Sequence, residues 1–408
     1  MNYAPVSVLT VLLAQDGKLL SVGKLALRDR KIWFQYDASF LSKGLELSPY
    51  KLPLKAEVVT CEDGIFDGLF GLFNDSLPDG WGRLLLDRHM RSLGIASENL
   101  TPLDRLAYVG QHGMGALVYQ PDHGSGIRRS NKVLDLEKLA EESRKVLDGA
   151  PKQVIEELLS LNGSSGGARP KVMVGVSPDK KHIIHGVDDV PTGHEHWIIK
   201  FTSSSDPDDN GAIEYAYSLM AKAAGINMPE THLFPTSKKG GYFGVKRFDR
   251  SGNSRLHVHT VSGFLHASHR SPTLDYEDIM KTALVFTKSM TETEAFFRLA
   301  VFNVLSHNRD DHAKNFSFLM GTNGAWHAAP AYDLIFSSGP AGEHSTMVMG
   351  EGKDPTRKHL QQLGKKFDIK KTDEIIDQVS AAVSRWKEFA NTASVTKESR
   401  DLIGKNIS

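Results

Sequence analysis

The stretch that decides the reading is His307-Asn308-Arg309-Asp310-Asp311-His312-Ala313-Lys314-Asn315-Phe316-Ser317-Phe318. Charged, amide and imidazole groups crowd between an apolar helix pattern upstream and a short apolar run downstream. Asp310 and Asn315 stand in the relation Asp-x-x-x-x-Asn. That spacing sets a carboxylate able to accept a proton near an amide oxygen able to face a hard cation. Two polar residues five apart are common in loops, so the flanks must supply the context.

Downstream, residues 316–320 read as a strand, Gly321-Thr322-Asn323-Gly324 as a turn and residues 325–329 as the return. Pro330-Ala331-Tyr332-Asp333-Leu334 closes the unit. This hairpin brings Asp333 back beside Asn315, offering one Mg²⁺ an amide oxygen and a carboxylate. Upstream, Thr291-Glu292-Thr293-Glu294 is a capping-box signature for a helix through about His307. Phe296, Leu299, Ala300, Asn303 and Val304 share one of its faces.

Earlier, Trp197-Ile198-Ile199-Lys200-Phe201 is an apolar strand carrying one lysine. Burying an ammonium is costly without a partner. Lys200 therefore either snorkels at a sheet edge or meets a permanent anion such as a phosphate. A helix over residues 212–224 ends at Gly225. Its stripe is Ile213, Ala216, Tyr217, Met220 and Ala224, and Glu214 flanks it, serving either the helix dipole or an ion pair with Lys200. Tyr242 begins the last strand of this sheet, which runs through Lys246, Arg247 and Phe248 into a charged crossover. The run Asn162-Gly163-Ser164-Ser165-Gly166-Gly167-Ala168 is either a flexible linker or a backbone cradle for phosphate oxygens, since glycine has no Cβ to block close approach. It matches neither a Walker A motif nor Gly-x-Gly-x-x-Gly.

Residues 6–14, 18–27 and 31–36 form an expected β-meander, punctuated by Asp16-Gly17 and Arg28-Asp29-Arg30. The polar run 74–83 reads by spacing as an ordinary helix entrance, with the helix from about Leu84 to just before Gly94. A helical pair is expected at 135–148 and 151–161. The chain has 408 residues and equal counts, 49 each, of Lys+Arg and Asp+Glu. Zero net charge disfavours holding DNA or an anionic membrane by overall charge. Cys61 is the only cysteine, which suits a reducing cytoplasm. No apolar run approaches the ~20 residues of a membrane helix, so a soluble cytoplasmic protein without membrane contact is the expectation.

Protein kinases use an Asp-x-x-x-x-Asn loop, with a strand lysine and then a helix glutamate in this order. Beyond that general pattern, the motifs Ser164 to Lys171, Trp197 to Phe201, Ile213-Glu214-Tyr215, Val245 to Arg250, Asp310 to Ser317 and Tyr332-Asp333-Leu334 together resemble HipA, the serine/threonine kinase toxin of bacterial type II toxin–antitoxin systems. Phe73-Asn74-Asp75-Ser76-Leu77-Pro78-Asp79-Gly80 resembles the N-terminal module of that family. The resemblance implies an α+β, protein-kinase-like, two-lobed fold. Its parts would be an extra N-terminal α/β module (1–105), a β-rich lobe with the Gly/Ser loop (106–250) and a helical lobe with the catalytic loop (251–408). It implies ATP and Mg²⁺ as cofactors, Asp310 as catalytic aspartate, and Asn315 and Asp333 as metal ligands. Lys200 and the loop Gly166, Gly167 and Ala168 would meet phosphates, and Lys246 to Phe248 would meet adenine through backbone. Ser164, with Ser165 beside it, falls where the family is autophosphorylated. His312 and Lys314 are expected to serve loop geometry and phosphate charge. Implied partners are a protein substrate, an aminoacyl-tRNA ligase being one target class, and a small helix-turn-helix antitoxin through which operator DNA is met.

Two departures stand out. Lys246 replaces an expected glutamate, and residues 256–270, with His257, His259, His266 and His269, replace an acidic stretch. Zinc is disfavoured for these histidines because no cysteine is nearby, and no Gly-x-Ser-x-Gly elbow supports a hydrolase. The competing readings are a small-molecule kinase of aminoglycoside-phosphotransferase type and a pseudokinase-like corepressor acting through antitoxin and DNA.

Overall fold

The computed structural model describes residues 5–124, 133–147, 152–163, 166–187, 189–237, 240–268 and 273–407. Ser164, Ser165 and His269 lie outside the described residues. The chain divides into two compact units. One comprises the residues up to Ser205 with Gly244–His259 and Met320–Gly324. The other comprises Asp206–Phe243, Thr260–Leu319 and Ala325–Ser408.

The first unit opens with the expected meander. Strands Val8–Gln15, Lys18–Arg28 and Lys31–Tyr36 pair antiparallel, with Val59–Thr60 and Leu117–Gln120 at the edges. Gln15 pairs Lys18 across a two-residue turn in which Asp16 and Gly17 both have positive φ, 49° and 70°. That is the backbone twist a tight hairpin demands. Helix Gly80–Ser92 begins four residues earlier than the periodicity predicted and stops before Gly94, whose φ of 78° marks a left-handed terminus. It packs on helix Lys152–Asn162, which in turn covers strand Lys171–Val176. All six residues of that strand are buried, as expected of a strand covered on both faces. Its neighbours are Ile183–His185 on one side and Glu195–Lys200 on the other, the latter beside residues 244–246.

The second unit is mainly helical: Asn210–Ala223, Tyr276–Thr287, Met290–Leu305, Arg357–Lys366, Thr372–Val383, Trp386–Thr392 and Lys397–Gly404. Tyr217 is fully buried against Trp386, ring centroids 5.4 Å apart, and its hydroxyl donates to Ser306 O at 2.6 Å. The helix before residues 307–318 starts earlier than Thr291. Ser289 is the N-cap, its Oγ accepting the Glu292 N–H at 3.3 Å. Ser289-x-x-Glu292 fits the same cap pattern two residues upstream, so the motif was read in the wrong register. The strand Ser317–Met320 pairs with Trp326–Ala328 as expected. Phe316 and Phe318 are buried against Tyr276 and Phe264, centroids 5.6 and 5.5 Å apart. Burying such a ring stabilises by roughly 1.5–3 kcal/mol, so the polar loop just before them is held at one end by apolar anchors.

The observed architecture is thus of the expected α+β class, with helices dominating the later part of the chain. Among the described residues no helix is long and apolar enough to cross a membrane.

Candidate active site

In the helical unit the stretch 307–318 contains a short 3₁₀ turn, Ala313–Asn315, whose Asn315 N–H donates to His312 O at 2.8 Å. The Asn315 side chain folds back, its Nδ2 donating to Asp310 O at 2.7 Å. That bond fixes the amide orientation. Once nitrogen is committed to a carbonyl, the oxygen Oδ1 faces the other way as a hard acceptor. The Asp310 side chain is about half exposed, 55%, with His312 Nε2 4.0 Å from its carboxylate. Beyond the hairpin, the Tyr332 hydroxyl reaches Lys314 O at 2.5 Å and Ser317 Oγ at 2.6 Å. This pins Tyr332, the residue before Asp333, to Lys314 and Ser317 on either side of Asn315. Asp333 itself has φ 59°, a left-handed conformation that aspartate tolerates better than most side-chain-bearing residues. An oriented amide oxygen and a carboxylate held at the two ends of one hairpin are the donor chemistry that Mg²⁺ takes.

The residue that organises this loop is Asp311, which the spacing did not single out. Its carboxylate is fully buried. Oδ2 accepts from the Tyr276 hydroxyl at 2.8 Å and lies 2.9 Å from His344 Nδ1. Oδ1 accepts the backbone N–H groups of Ser345 and Thr346 at 2.9 and 3.3 Å. Asn303 donates to the Tyr276 hydroxyl at 2.8 Å, and Asn308 to Asn303 at 3.0 Å, extending the network back into the preceding helix. Burial, and then the Asp311 charge, push the Tyr276 phenol well above its ordinary pKa, so it stays a donor. Ser345 Oγ also donates to Arg309 O at 3.1 Å, and Thr346 Oγ1 donates to Asp311 O. The segment after Asp333 is thereby tied to the backbone on both sides of Asp310. A clue was present in the sequence: an aspartate directly after an exposed one, followed by buried aromatics, is a candidate for burial.

In the first unit, Lys200 stands directly opposite Lys171 in the antiparallel register, on one face of the sheet. Lys171 is only 5% exposed and its ammonium donates to Gly166 O. Lys171 is as costly to bury as Lys200, but at the first position of its strand it interrupts no apolar run and carries no signal in the sequence. Gly166, Gly167 and Ala168 follow the helix Lys152–Asn162 and lead into the strand of Lys171. Arg247 N–H donates to His196 O at 2.8 Å. Backbone groups alternate along an extended strand, so those of Lys246 and Phe248 point away from that neighbour. The Lys246 ammonium is 2.5 Å from Glu195 Oε1, so the charge that departs from the family pattern has a partner on the adjacent strand. Glu214, in the other unit, is 1% exposed on helix Asn210–Ala223.

Immediately after that segment, Asp249 is fully buried, its oxygens taken by Arg247 at 2.9 and 2.7 Å, by Arg250 at 2.6 Å and by Gly115 N–H at 2.8 Å. Burial pushes its pKa up, but the charges of Arg247 and Arg250 outweigh burial and hold it well below the usual carboxylate range. Arg250 and Arg255 both donate to Gly113 O and Gly115 O, at 2.8–3.1 Å. His257 and His259 are taken up by structural contacts. His259 bridges Asp75 Oδ2 at 2.6 Å and Ser48 Oγ at 3.0 Å, and His257 faces Leu47 O at 3.4 Å. Ser48 is 1% exposed, so this Ser–His–Asp arrangement has no access for a substrate.

Comparison with known proteins decides the family. The model of the HipA-like C-terminal domain matches residues 163–386, and that of the HipA N-terminal domain matches residues 14–120. The chain belongs to the HipA family. Shewanella oneidensis HipA, solved with HipB and operator DNA, shares the fold at TM-score 0.67 and 16% identity, over 98% of this chain and 94% of that one. A candidate kinase of Haemophilus influenzae is 26% identical over 136 residues, 30% of this chain; the match spans 40% of that relative's own length. A smaller overlap is with the Helicobacter pylori kinase CtkA, TM-score 0.32 and 14% identity over 52% of this chain and 90% of the other. The HipA C-terminal match takes in Gly166–Ala168, Lys171, Lys200, Lys246, Asp310, Asn315 and Asp333 alike.

Proposed function

We propose that this HipA-family chain is a protein serine/threonine kinase that uses ATP and Mg²⁺. The observation that carries the reading is the loop geometry: Asn315 Nδ2 is committed to Asp310 O, which leaves its amide oxygen for a cation, while Tyr332 ties the Asp333 end of the hairpin to the same loop. Bound ATP–Mg²⁺ would supply the transferable phosphoryl group and neutralise its charge. Asn315 and Asp333 hold the metal. Lys200 and Lys171 take phosphate oxygens beside the Gly166–Ala168 backbone, and Lys246 to Phe248 present backbone to adenine. Asp310, exposed and adjacent to the buried Asp311, orients the acceptor hydroxyl and takes its proton. His312 and Lys314 maintain the loop, through the His312 carbonyl that receives Asn315 N–H and the Lys314 carbonyl that receives Tyr332.

The acceptor is a protein hydroxyl, an aminoacyl-tRNA ligase being one target class, and the chain's own Ser164 or Ser165 is an inhibitory acceptor. A helix-turn-helix antitoxin would restrain the kinase in the cytoplasm and carry it to operator DNA; the Shewanella relative solved with HipB and DNA supports this. The test is phosphopeptide mapping after incubation with ATP and Mg²⁺. Modification at Ser164 or Ser165 in the wild type, absent from Asp310→Asn, is expected. An unmodified wild type with a phosphorylated small-molecule product would refute the protein-kinase assignment.

A further inference from the structure

Asp79 occupies the N-cap position of helix Gly80–Ser92 yet makes no side-chain hydrogen bond to that helix's first turn. Its Oδ1 instead accepts the N–H of Gly167, 88 residues away in the Gly/Ser loop. The carbonyl of the same glycine accepts the Trp81 N–H at 3.0 Å. Both backbone polar groups of Gly167 are therefore taken by the segment Asp79-Gly80-Trp81. The approach is close enough to demand glycine at position 80, and the left-handed backbone of Gly167 favours glycine there on its own account. Gly80 has φ 41° and a Cβ there would lie 2.5 Å from Gly167 O, while a Cβ on Gly167, at φ 92°, would lie 2.6 Å from Lys171 Nζ. A helix-entrance role does not account for an aspartate that gives up its own cap to reach this loop.

The surroundings say what the carboxylate replaces. It is an anionic oxygen accepting a glycine N–H beside a lysine ammonium, with a second lysine, Lys200, opposite Lys171 in the strand register. Those are the contacts a glycine loop offers a nucleotide phosphate. We infer that Asp79 is an intramolecular competitor of the nucleotide phosphates: it latches the Gly/Ser loop to the N-terminal module, and phosphate must displace its carboxylate from Gly167 N–H. The competition rests on the kinase reading above; the latch itself rests only on the contacts just given. A carboxylate left near the phosphates also repels them, so loss of its charge and loss of its acceptor oxygen act in the same direction.

Titration calorimetry of the full chain with ADP–Mg²⁺ and separately with adenosine tests this in wild type, Asp79→Ala and Asp79→Asn. Asp79→Ala should bind ADP at least about tenfold more tightly, about 1.4 kcal/mol, with adenosine affinity unchanged. Asp79→Asn, which keeps an acceptor oxygen without the charge, should fall between. Unchanged or weaker ADP binding in both variants overturns the competition, and so does an equal gain for adenosine, which has no phosphate. Hydrogen exchange without nucleotide reads the latch separately: Gly167 N–H should exchange faster in Asp79→Ala, and unaltered protection overturns the latch. If exchange rises but neither wild type nor variant binds ADP, the competition fails together with the kinase reading; ADP binding that does not tighten overturns the competition alone.

Discussion

Replacing Asp311 with alanine removes the acceptor of three buried donors, the Tyr276 hydroxyl, His344 Nδ1 and the Thr346 N–H, and one of two acceptors of the Ser345 N–H, which also reaches Arg309 O at 3.1 Å. Each donor left unsatisfied costs about 1–3 kcal/mol. Part is returned because the carboxylate no longer has to be desolvated, and water can enter the space, so a net loss of about 3–5 kcal/mol is expected, the range for breaking a buried charged pair. Asp311→Asn keeps one acceptor oxygen for the two backbone N–H groups and presents an NH₂ where Tyr276 and His344 now donate. It should cost roughly 1–2 kcal/mol, since one neutral hydrogen bond is exchanged or misoriented. The effect reaches chemistry because Ser345 and Thr346 are tied to the backbone on either side of Asp310. A displacement of about 1 Å at a reacting group can lower the rate roughly 100-fold, so phosphotransfer in the alanine variant should fall at least that far. Urea unfolding followed by tryptophan fluorescence, with a phosphotransfer assay under conditions where the variant remains folded, measures both. An alanine variant that loses less than about 1 kcal/mol, or keeps wild-type turnover, would refute Asp311 as the organiser of the loop.

Two further outcomes follow from the same contacts. Burial, and then the charge of neighbouring His259, lower the His257 pKa from 6.5 to about 3. A histidine lowered in the folded state leaves stability intact above pH 6.5 and removes it as pH falls toward 3, because only the unfolded chain takes up the proton. Between pH 7 and 5 this one group should cost about 2 kcal/mol, at 1.36 kcal/mol per pKa unit. The urea midpoint of His257→Gln should drop less over that interval than that of the wild type; equal drops would contradict the assignment. At the phosphate end, Lys171→Met and Lys200→Met should each weaken ADP–Mg²⁺ binding by at least about tenfold, the value of roughly one charge-assisted hydrogen bond. Calorimetry showing wild-type affinity in either variant would remove that lysine from the site.

What could be read in the chain alone was what local rules control. The meander turns at Asp16-Gly17 and Arg28-Asp29-Arg30, and the glycine helix ends at Gly94 and Gly225, depend on a few adjacent residues and came out as expected. The helix starts at Gly80 and Ser289 did not, because periodicity locates a helix better than its first turn. The site divides along the same line. Asp310 and Asn315 announce themselves by spacing, and the hydrogen bond from Asn315 Nδ2 to Asp310 O supplies a local reason for it. Asp311, Asp249 and Asp79 act through partners far along the chain: His344, Gly115 and Gly167. Asp79 shows the difference most plainly, since by spacing it is a helix cap and in the fold its hydrogen bond goes to a glycine 88 residues on. The roles of histidines 257 and 259 are set by Leu47, Ser48 and Asp75, all distant in sequence.

The central claim is that Asp310 drives phosphoryl transfer from ATP to a protein hydroxyl. Incubating the purified chain with γ-labelled ATP, Mg²⁺ and a bacterial lysate tests it most directly. Wild-type protein should place acid-stable label on serine or threonine of a lysate protein, and Asp310→Asn, folded to the same extent, should place none. Label transferred equally by both proteins, or by neither, would contradict the account.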